Sequence, residues 1–325
     1  METFMKYYFL VNPMSGNGKH TDELCAKISK ACDGRGVTYE IHKTTCVGDA
    51  TVFVRSICAD SANLPARFFA CGGDGTLGEV ANGIGDTVGA QLGLIPVGTG
   101  NDFARNFDKD SPFFDIDAQL DGAPARIDLL RWNGAYAVNM INIGFDCEVV
   151  KKKEKLQKHR FLPSKLAYIF GLVITLVKKP GMKAEVYTDG ERINDSSFLL
   201  STFANGCFCG GGFHSNPLAD VTDGMVDTLF VRNISRTRFV SLVGSYKKGT
   251  HIVPKNEKLL FARKARSITF KFPATQSISV DGEIHDCDEL HIECVKDAID
   301  FIVPKGVKFI KQPENKKAES EALSV

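Results

Sequence analysis

The chain has 325 residues, 43% of them hydrophobic and 24% charged, with a formal net charge of +1. That is an ordinary composition for a soluble globular protein, and the length allows two domains with cores of their own or one large one. The near-neutral balance excludes a general attraction to nucleic acid or to an acidic surface, so any anion binding has to be local.

Tyr7-Tyr8-Phe9-Leu10-Val11 is a buried-strand run that stops at Asn12-Pro13-Met14-Ser15-Gly16-Asn17-Gly18-Lys19, a loop leading to a helix from about Thr21 to Cys32. His20 follows Lys19, so the loop lacks Walker A spacing. Asn12 and Ser15 either face phosphate oxygens or cap the helix. A second strand is expected over Val37 to Thr44, and Gly48-Asp49-Ala50 opens a helix to about Ala59. The third strand, around Phe68, breaks off in Gly72-Gly73-Asp74-Gly75-Thr76, and Leu77, Val80, Ala81 and Ile84 then recur at helical spacing. Such a turn presents unpaired N–H groups at a helix N-terminus, where a phosphate can sit. An acid inside it makes sense beside phosphates when a divalent cation lies between. The fourth strand, Gln91 to Pro96, ends in Val97-Gly98-Thr99-Gly100-Asn101-Asp102-Phe103-Ala104-Arg105. Strand, turn and helix thus alternate four times, which predicts an α/β sandwich with a mostly parallel sheet and a ligand site beyond its carboxyl edge.

After Ile127-Asp128-Leu129-Leu130 the texture changes. Short β-like runs follow at Ala135 to Ile143, Lys183 to Thr188, Ser197 to Phe203, Met225 to Val231, Ser267 to Phe272, Ser277 to Val280 and Glu289 to Cys294. They predict an antiparallel β-sandwich or barrel-like second domain. One amphipathic helical stretch, about Lys151 to Lys179, interrupts them and opens on Lys151, Lys152, Lys153 and Lys155. The ten cysteines are scattered without zinc spacing and are expected to be reduced, in keeping with a cytosolic protein. No signal peptide is expected, and the longest apolar stretch, Leu166 to Val177, is too short to span a bilayer.

Four blocks occur in order: Asn12-Pro13-x-Ser15-Gly16, Gly72-Gly73-Asp74-Gly75-Thr76, Gly98-Thr99-x-Asn101-Asp102-Phe103-Ala104 and Asp281-Gly282-Glu283. Together they make the chain, over roughly residues 5–312, resemble the soluble lipid kinases of the diacylglycerol kinase catalytic family, which includes bacterial diacylglycerol kinases and eukaryotic sphingosine and ceramide kinases. The resemblance implies a nucleotide-binding α/β domain of the NAD kinase/diacylglycerol kinase type over 1–130 plus 304–312. It also implies a β-sandwich lipid-substrate domain over 131–303 with the helical insertion 151–179, ATP in the cleft between the two, and a disordered tail over 313–325.

Carried over by position, the resemblance implies that Asn12, Pro13, Met14, Ser15, Gly16, Thr44, Gly72, Gly73, Asp74, Gly75, Thr76, Leu77 and Thr99 contact ATP, with Asn101 and Asp102 beside them. Asp74, Asp102 and Asp128 match three acids of a magnesium–water network, although Asp128 by itself reads as a turn or cap residue. Asp281-Gly282-Glu283, an ordinary hairpin turn on its own, is implied to lie beside the γ-phosphate, with Glu283 as base and Asp281 orienting or helping it. The stretch Pro217 to Met225 resembles a second metal loop. There the Asp223 carboxylate and the Asp220 and Met225 carbonyls would hold a structural Mg²⁺; a type I turn is the plain alternative.

The expectation is therefore an ATP- and Mg²⁺-dependent lipid kinase acting on the hydroxyl of a diacylglycerol-like lipid. It is expected to be cytoplasmic and to touch the membrane peripherally, through part of the 151–179 helix and its lysines. A homodimer through exposed edge strands stays open, and no nucleic acid is expected. The alternatives are a sphingoid or ceramide kinase, an NAD kinase-like activity and a catalytically silent nucleotide- or lipid-binding protein. NAD kinases pair GGDGT with a nearby Asn-Glu, whereas the one Asn-Glu here is Asn256-Glu257, far downstream.

Overall fold

The computed structural model describes residues 4–18, 21–144, 181–193 and 197–310. The helical insertion 151–179 with its lysines, and the tail 313–325, lie outside the described residues. The first half runs β1 (Lys6–Val11), α1 (Thr21–Arg35), β2 (Tyr39–Lys43), α2 (Asp49–Cys58), β3 (Ala66–Gly72), α3 (Asp74–Ile84) and β4 (Ala90–Pro96). The strands lie in the order β2-β1-β3-β4 and all run parallel. Their near-continuous apolar runs follow from burial on both faces. Alternate residues point to opposite sides: Tyr8, Leu10, Phe68 and Ala70 pack with Val54 of α2 and Leu77 and Val80 of α3. Phe9, Val11, Phe69 and Cys71 pack with Ile28 and Cys32 of α1 and with α4 (Ile116–Leu120).

β5 (Ala123–Trp132) leads into the second half: β6 (Ala135–Ala137), β7 (Met140–Gly144), β8 (Met182–Lys183), β9 (Glu185–Thr188), β10 (Glu191–Arg192), β11 (Ser197–Ala204), β12 (Val226–Arg232), α5 (Arg236–Lys248), β13 (Leu260–Ala265), β14 (Ser267–Val280) and β15 (Glu283–Val303). Its neighbours β13-β12-β11-β7-β14-β15 pair antiparallel around a second core that includes Phe198, Phe203, Phe230 and Phe270. The α/β half joined to an antiparallel β half is the architecture expected.

Boundaries differ in instructive ways. The run from Ala135 to Ile143 is two strands, broken at Val138-Asn139. The runs at 267–272 and 277–280 are one strand whose pairing slips between Lys271 and Gln276, a stretch containing Pro273, which has no N–H to give. The Glu289 to Cys294 run is the middle of the 21-residue β15. That strand pairs with β14 at its start and with β5 further on, and it places Asp300 and Phe301 beside Gln91 and Leu92 of β4. It therefore ties the antiparallel half to the parallel one. α5 and β13 are not apparent from the sequence reading above.

Candidate active site

Three loops meet at the carboxyl edge of β1, β3 and β4. Gly98 donates its N–H to the Gly72 carbonyl at 3.1 Å, and a Cβ on Gly98 would fall 2.5 Å from the Gly73 Cα. The two backbones touch, and only glycine permits that approach. Asn12 binds the first loop to the second: its Nδ2 donates to Thr76 Oγ1 at 3.2 Å, while its Oδ1 accepts the Met14 N–H at 2.9 Å. Asn101, held at φ 51°, spends its Nδ2 on the Pro96 and Gly98 carbonyls. Thr44 enters the same edge through its N–H, which donates to the Val11 carbonyl. Asn12, Thr76 and Asn101 thus shape the cradle, whereas Met14, Gly16 and Thr99 stand exposed on it, with Pro13 and Ser15 half-buried. Leu77 is different: its side chain is wholly in the core and its N–H donates to the Gly73 carbonyl. α3 begins at Asp74 with Gly73 as a cap that offers no side chain, which leaves first-turn N–H groups of the helix without side-chain acceptors.

Two acids converge beside this turn. Asp74 accepts the N–H groups of Asp102 and Phe103, both at 3.0 Å. Asp102 accepts those of Gly211 and Gly212, at 2.9 and 2.8 Å. A Cβ on Gly100 would lie 3.4 Å from Asp74 Oδ2 and 3.6 Å from Asp102 Oδ2, so both carboxylates border the same space. Burial, reinforced by the neighbouring Asp74 charge, pushes Asp102 up to about 6, and burial also raises Asp74. Arg105, with Nε 3.5 Å from Asp102 Oδ1, is the cation at hand. Arg105 and the donors Gly211 and Gly212 are not among the site residues expected from the sequence. The run Gly210-Gly211-Gly212 signals them, since glycines leave backbone N–H groups accessible. His214, just after it, stacks on Phe208 with ring centres 4.4 Å apart, a structural placement.

The hairpin at the start of β15 reaches this site from the other half. Val280 pairs with Glu283, and Asp281 and Gly282 between them take φ 47° and 93°, as a two-residue primed turn requires. The Asp281 carboxylate accepts N–H groups from Val138, Asn139 and Met140, the break between β6 and β7, at 2.7, 3.0 and 2.8 Å. Burial raises its pKa to about 7 against the pull of those donors. Asp281 thus pins the hairpin to the β6–β7 corner. The corner is held in turn by Asn82 of α3, whose side chain accepts the Tyr136 N–H and donates to the Tyr136 carbonyl, both at 2.8 Å. With the hairpin so fixed, Glu283 lies over the glycine turn: a Cβ on Gly75 would be 3.0 Å from Glu283 Oε1.

The remaining acids form a separate group. Asp128, wholly buried, accepts the N–H groups of Gly224 in the 220–225 loop and Asp297 in β15 at 2.6 and 2.8 Å. In that loop Asp223 Oδ1 accepts the Met225 N–H at 2.9 Å, and Asp223 Oδ2 is ion-paired with Lys264. The Asp220 carbonyl faces the Asp223 N–H across a turn at 3.5 Å. Asp223 Oδ2 is thus occupied by the Lys264 ammonium, while Oδ1 serves the turn of the loop itself. Among the described residues no group of three or more His, Cys, Asp or Glu is disposed to hold a metal ion. The Asp74–Asp102 pair suits a cation reached through water: two carboxylates border one space, and a positive charge there relieves their repulsion.

The sequence matches the diacylglycerol kinase catalytic domain over residues 6–132 and the YegS C-terminal NAD kinase beta sandwich-like domain over 139–303. The chain belongs to the diacylglycerol kinase family of lipid kinases. It is 28% identical over 289 residues to a diacylglycerol kinase of Bacillus subtilis, covering 84% of this chain and 88% of that one. It is likewise 28% identical over 312 residues to a diacylglycerol kinase of Staphylococcus epidermidis, covering 92% of each. A crystal structure described as a diacylglycerol kinase from Bacillus anthracis superposes with a TM-score of 0.68 at 21% identity, over 94% of this chain and 99% of that one, which is a likeness of fold. Asn256, of the isolated Asn-Glu pair, is buried and donates its amide to the His251 carbonyl at 2.8 Å. Among the described residues no helix is long and apolar enough to cross a membrane.

Proposed function

We propose that this chain transfers the γ-phosphoryl group of ATP to the hydroxyl of a diacylglycerol-like lipid, with Glu283 taking the hydroxyl proton. One observation carries the reading: the Glu283 carboxylate rests over Gly75, at the turn where the first helical N–H groups would meet phosphate oxygens. Phosphoryl transfer needs positioning, charge neutralisation and an acceptor for the proton. The backbone of Gly73 to Thr76 and the exposed Gly16 and Thr99 bind and orient the phosphates. Asp74 and Asp102 would hold Mg²⁺ through water, and that ion supplies neutralisation of the phosphate charge. Arg105 adds a fixed positive charge on the same side. Asp281 holds the hairpin so that Glu283 meets the acceptor oxygen. A lipid acceptor requires peripheral contact with the bilayer that contains it.

The test is transfer of labelled γ-phosphate in mixed micelles offered diacylglycerol, sphingosine, ceramide or NAD. Diacylglycerol is the expected acceptor. Glu283→Gln is expected to lower kcat by roughly 10²–10⁴, the range of general-base catalysis, with ATP affinity and melting midpoint unchanged. Transfer to NAD alone, or ATP binding with no acceptor used, overturns the reading.

A further inference from the structure

The 220–225 loop contains the residues that would receive a structural metal ion, yet its charge is already answered from within the chain. Asp220 Oδ1 is taken by the N–H and hydroxyl of Thr222, at 3.0 and 2.7 Å. Asp223 Oδ1 is taken by Met225, and the Gly224 N–H is anchored on Asp128. The Asp128 N–H donates back to the Val221 carbonyl at 2.7 Å, so loop and strand β5 hold each other. Asp223 Oδ2 is in direct ion-pair contact with Lys264 Nζ, which also lies 3.4 Å from Asp227 Oδ2.

This ammonium is delivered by the sheet. Lys264 stands directly opposite Asp227 in the β12–β13 pairing, so both side chains leave the same face, the face on which the loop closes. Asp227 is nearly buried and its carboxylate is raised by that burial. The Lys264 ammonium thus stands between the carboxylates of Asp223 and Asp227. Lysine is suited to the place, being a compact point charge with three donors on a flexible stem. A Mg²⁺ ion would have to expel that ammonium. The Asp223 oxygen it would take is the one that the ammonium already holds.

We propose that the Lys264 ammonium is the resident cation of the 220–225 loop, occupying the role of a structural divalent ion, so that the loop keeps its shape without metal. Lys264 thereby also steadies Asp128 and the β5 backbone behind the site, through Gly224. The inference concerns structure and does not depend on what the chain phosphorylates.

The experiment uses the full chain, stripped with EDTA, and follows thermal midpoints as Mg²⁺ or Ca²⁺ is added, for wild type, Asp223→Asn and Lys264→Met. The expected result is the same metal-induced shift in wild type and Asp223→Asn, since any shift arises elsewhere. In EDTA, Lys264→Met is expected to melt about 1.5 °C or more below wild type, the size of shift a lost kilocalorie-scale contact gives in a chain of this length. A metal-induced shift in wild type that shrinks in Asp223→Asn overturns the proposal, as does a Lys264→Met midpoint equal to wild type. Should Asp223→Asn fail to fold, metal analysis of chelator-treated wild type decides. No retained divalent ion supports the proposal, and one ion per chain retained overturns it.

Discussion

Gly75 carries a hydrogen where a methyl group would press on the Glu283 carboxylate at 3.0 Å. The far end of a glutamate can move aside, so Gly75→Ala is expected to fold normally. It is expected to gain slightly in stability, because alanine replaces glycine in the first turn of α3, worth up to about 1 kcal/mol. The displaced carboxylate should nevertheless cost roughly 10–100-fold in kcat, as small misplacements of a reacting group do. An unchanged or raised melting midpoint together with a lowered kcat is the signature to measure; full activity would mean that Glu283 does not act from this position. His251 is a residue of another kind. It is wholly buried, and burial pushes its pKa down to about 4, against an opposing pull from the backbone of Ser245 and Ser215. Its folded pKa lies below the unfolded value, so the unfolded chain binds more protons between about 6.5 and 4, and the stability it permits is complete above pH 6.5 and lost as pH falls through that window. The loss is on the order of 3 kcal/mol at most. Asp102 and Asp281, raised to about 6 and about 7, slope the opposite way over the same range, so the effect is read by difference. Urea unfolding of wild type and His251→Gln at pH 7.5 and 5 should show that the variant lacks this acid-side loss; equal slopes would remove His251 as its source.

At the level of elements, the hairpin between β14 and β15 works because its first residue is spent on anchorage. Asp281 accepts three backbone N–H groups from the β6–β7 corner. Asp281→Asn replaces one acceptor oxygen with a donor facing donors. It is expected to lower unfolding free energy by about 1–3 kcal/mol in a urea titration, and kcat with it as the hairpin loosens. A variant of wild-type stability and activity would show that the anchorage is not needed. The glycine turns, the alternation of parallel strands with helices and the hairpin were legible in the sequence because each is local: a few consecutive residues set the backbone, and apolar spacing sets the faces. What Asp281, Asp128 and Lys264 touch was not legible, since each meets residues far away in the chain that only the sheet register brings near. Asp128 illustrates this: its carboxylate accepts the N–H groups of Gly224 and Asp297, 96 and 169 positions further along the chain. α5 escaped notice although Phe239, Leu242 and Tyr246 recur at helical spacing and Gly249 ends it at φ 71°. Its many polar residues dilute that signal.

On the scale of the whole molecule, the two halves are not beads on a linker, because β5 and β15 run through both cores. Leu129 of β5 packs in the first-half core and its neighbour Leu130 in the second. β15 divides likewise, with Leu290 and Ile292 in the second core and Ile299 and Phe301 in the first. Melting either core alone would strip these strands of half their partners while leaving the rest of each strand held, which disfavours a half-folded state. The single tryptophan is placed to test this. Trp132 ends β5, pairs with Ile292 of β15 and Ala135 of β6, packs against the second core and lies 4.9 Å from the His285 ring. Its fluorescence therefore reports the junction and the second half, whereas far-UV circular dichroism at the helix band reports the helices of both halves, among the described residues α1 to α4 in the first and α5 in the second. The expected outcome is one transition with coincident midpoints for both probes in urea. A fluorescence midpoint displaced from the helical one would show that the shared strands part before the cores do, and that the hairpin carrying Glu283 can leave the glycine turn while the nucleotide half stays folded.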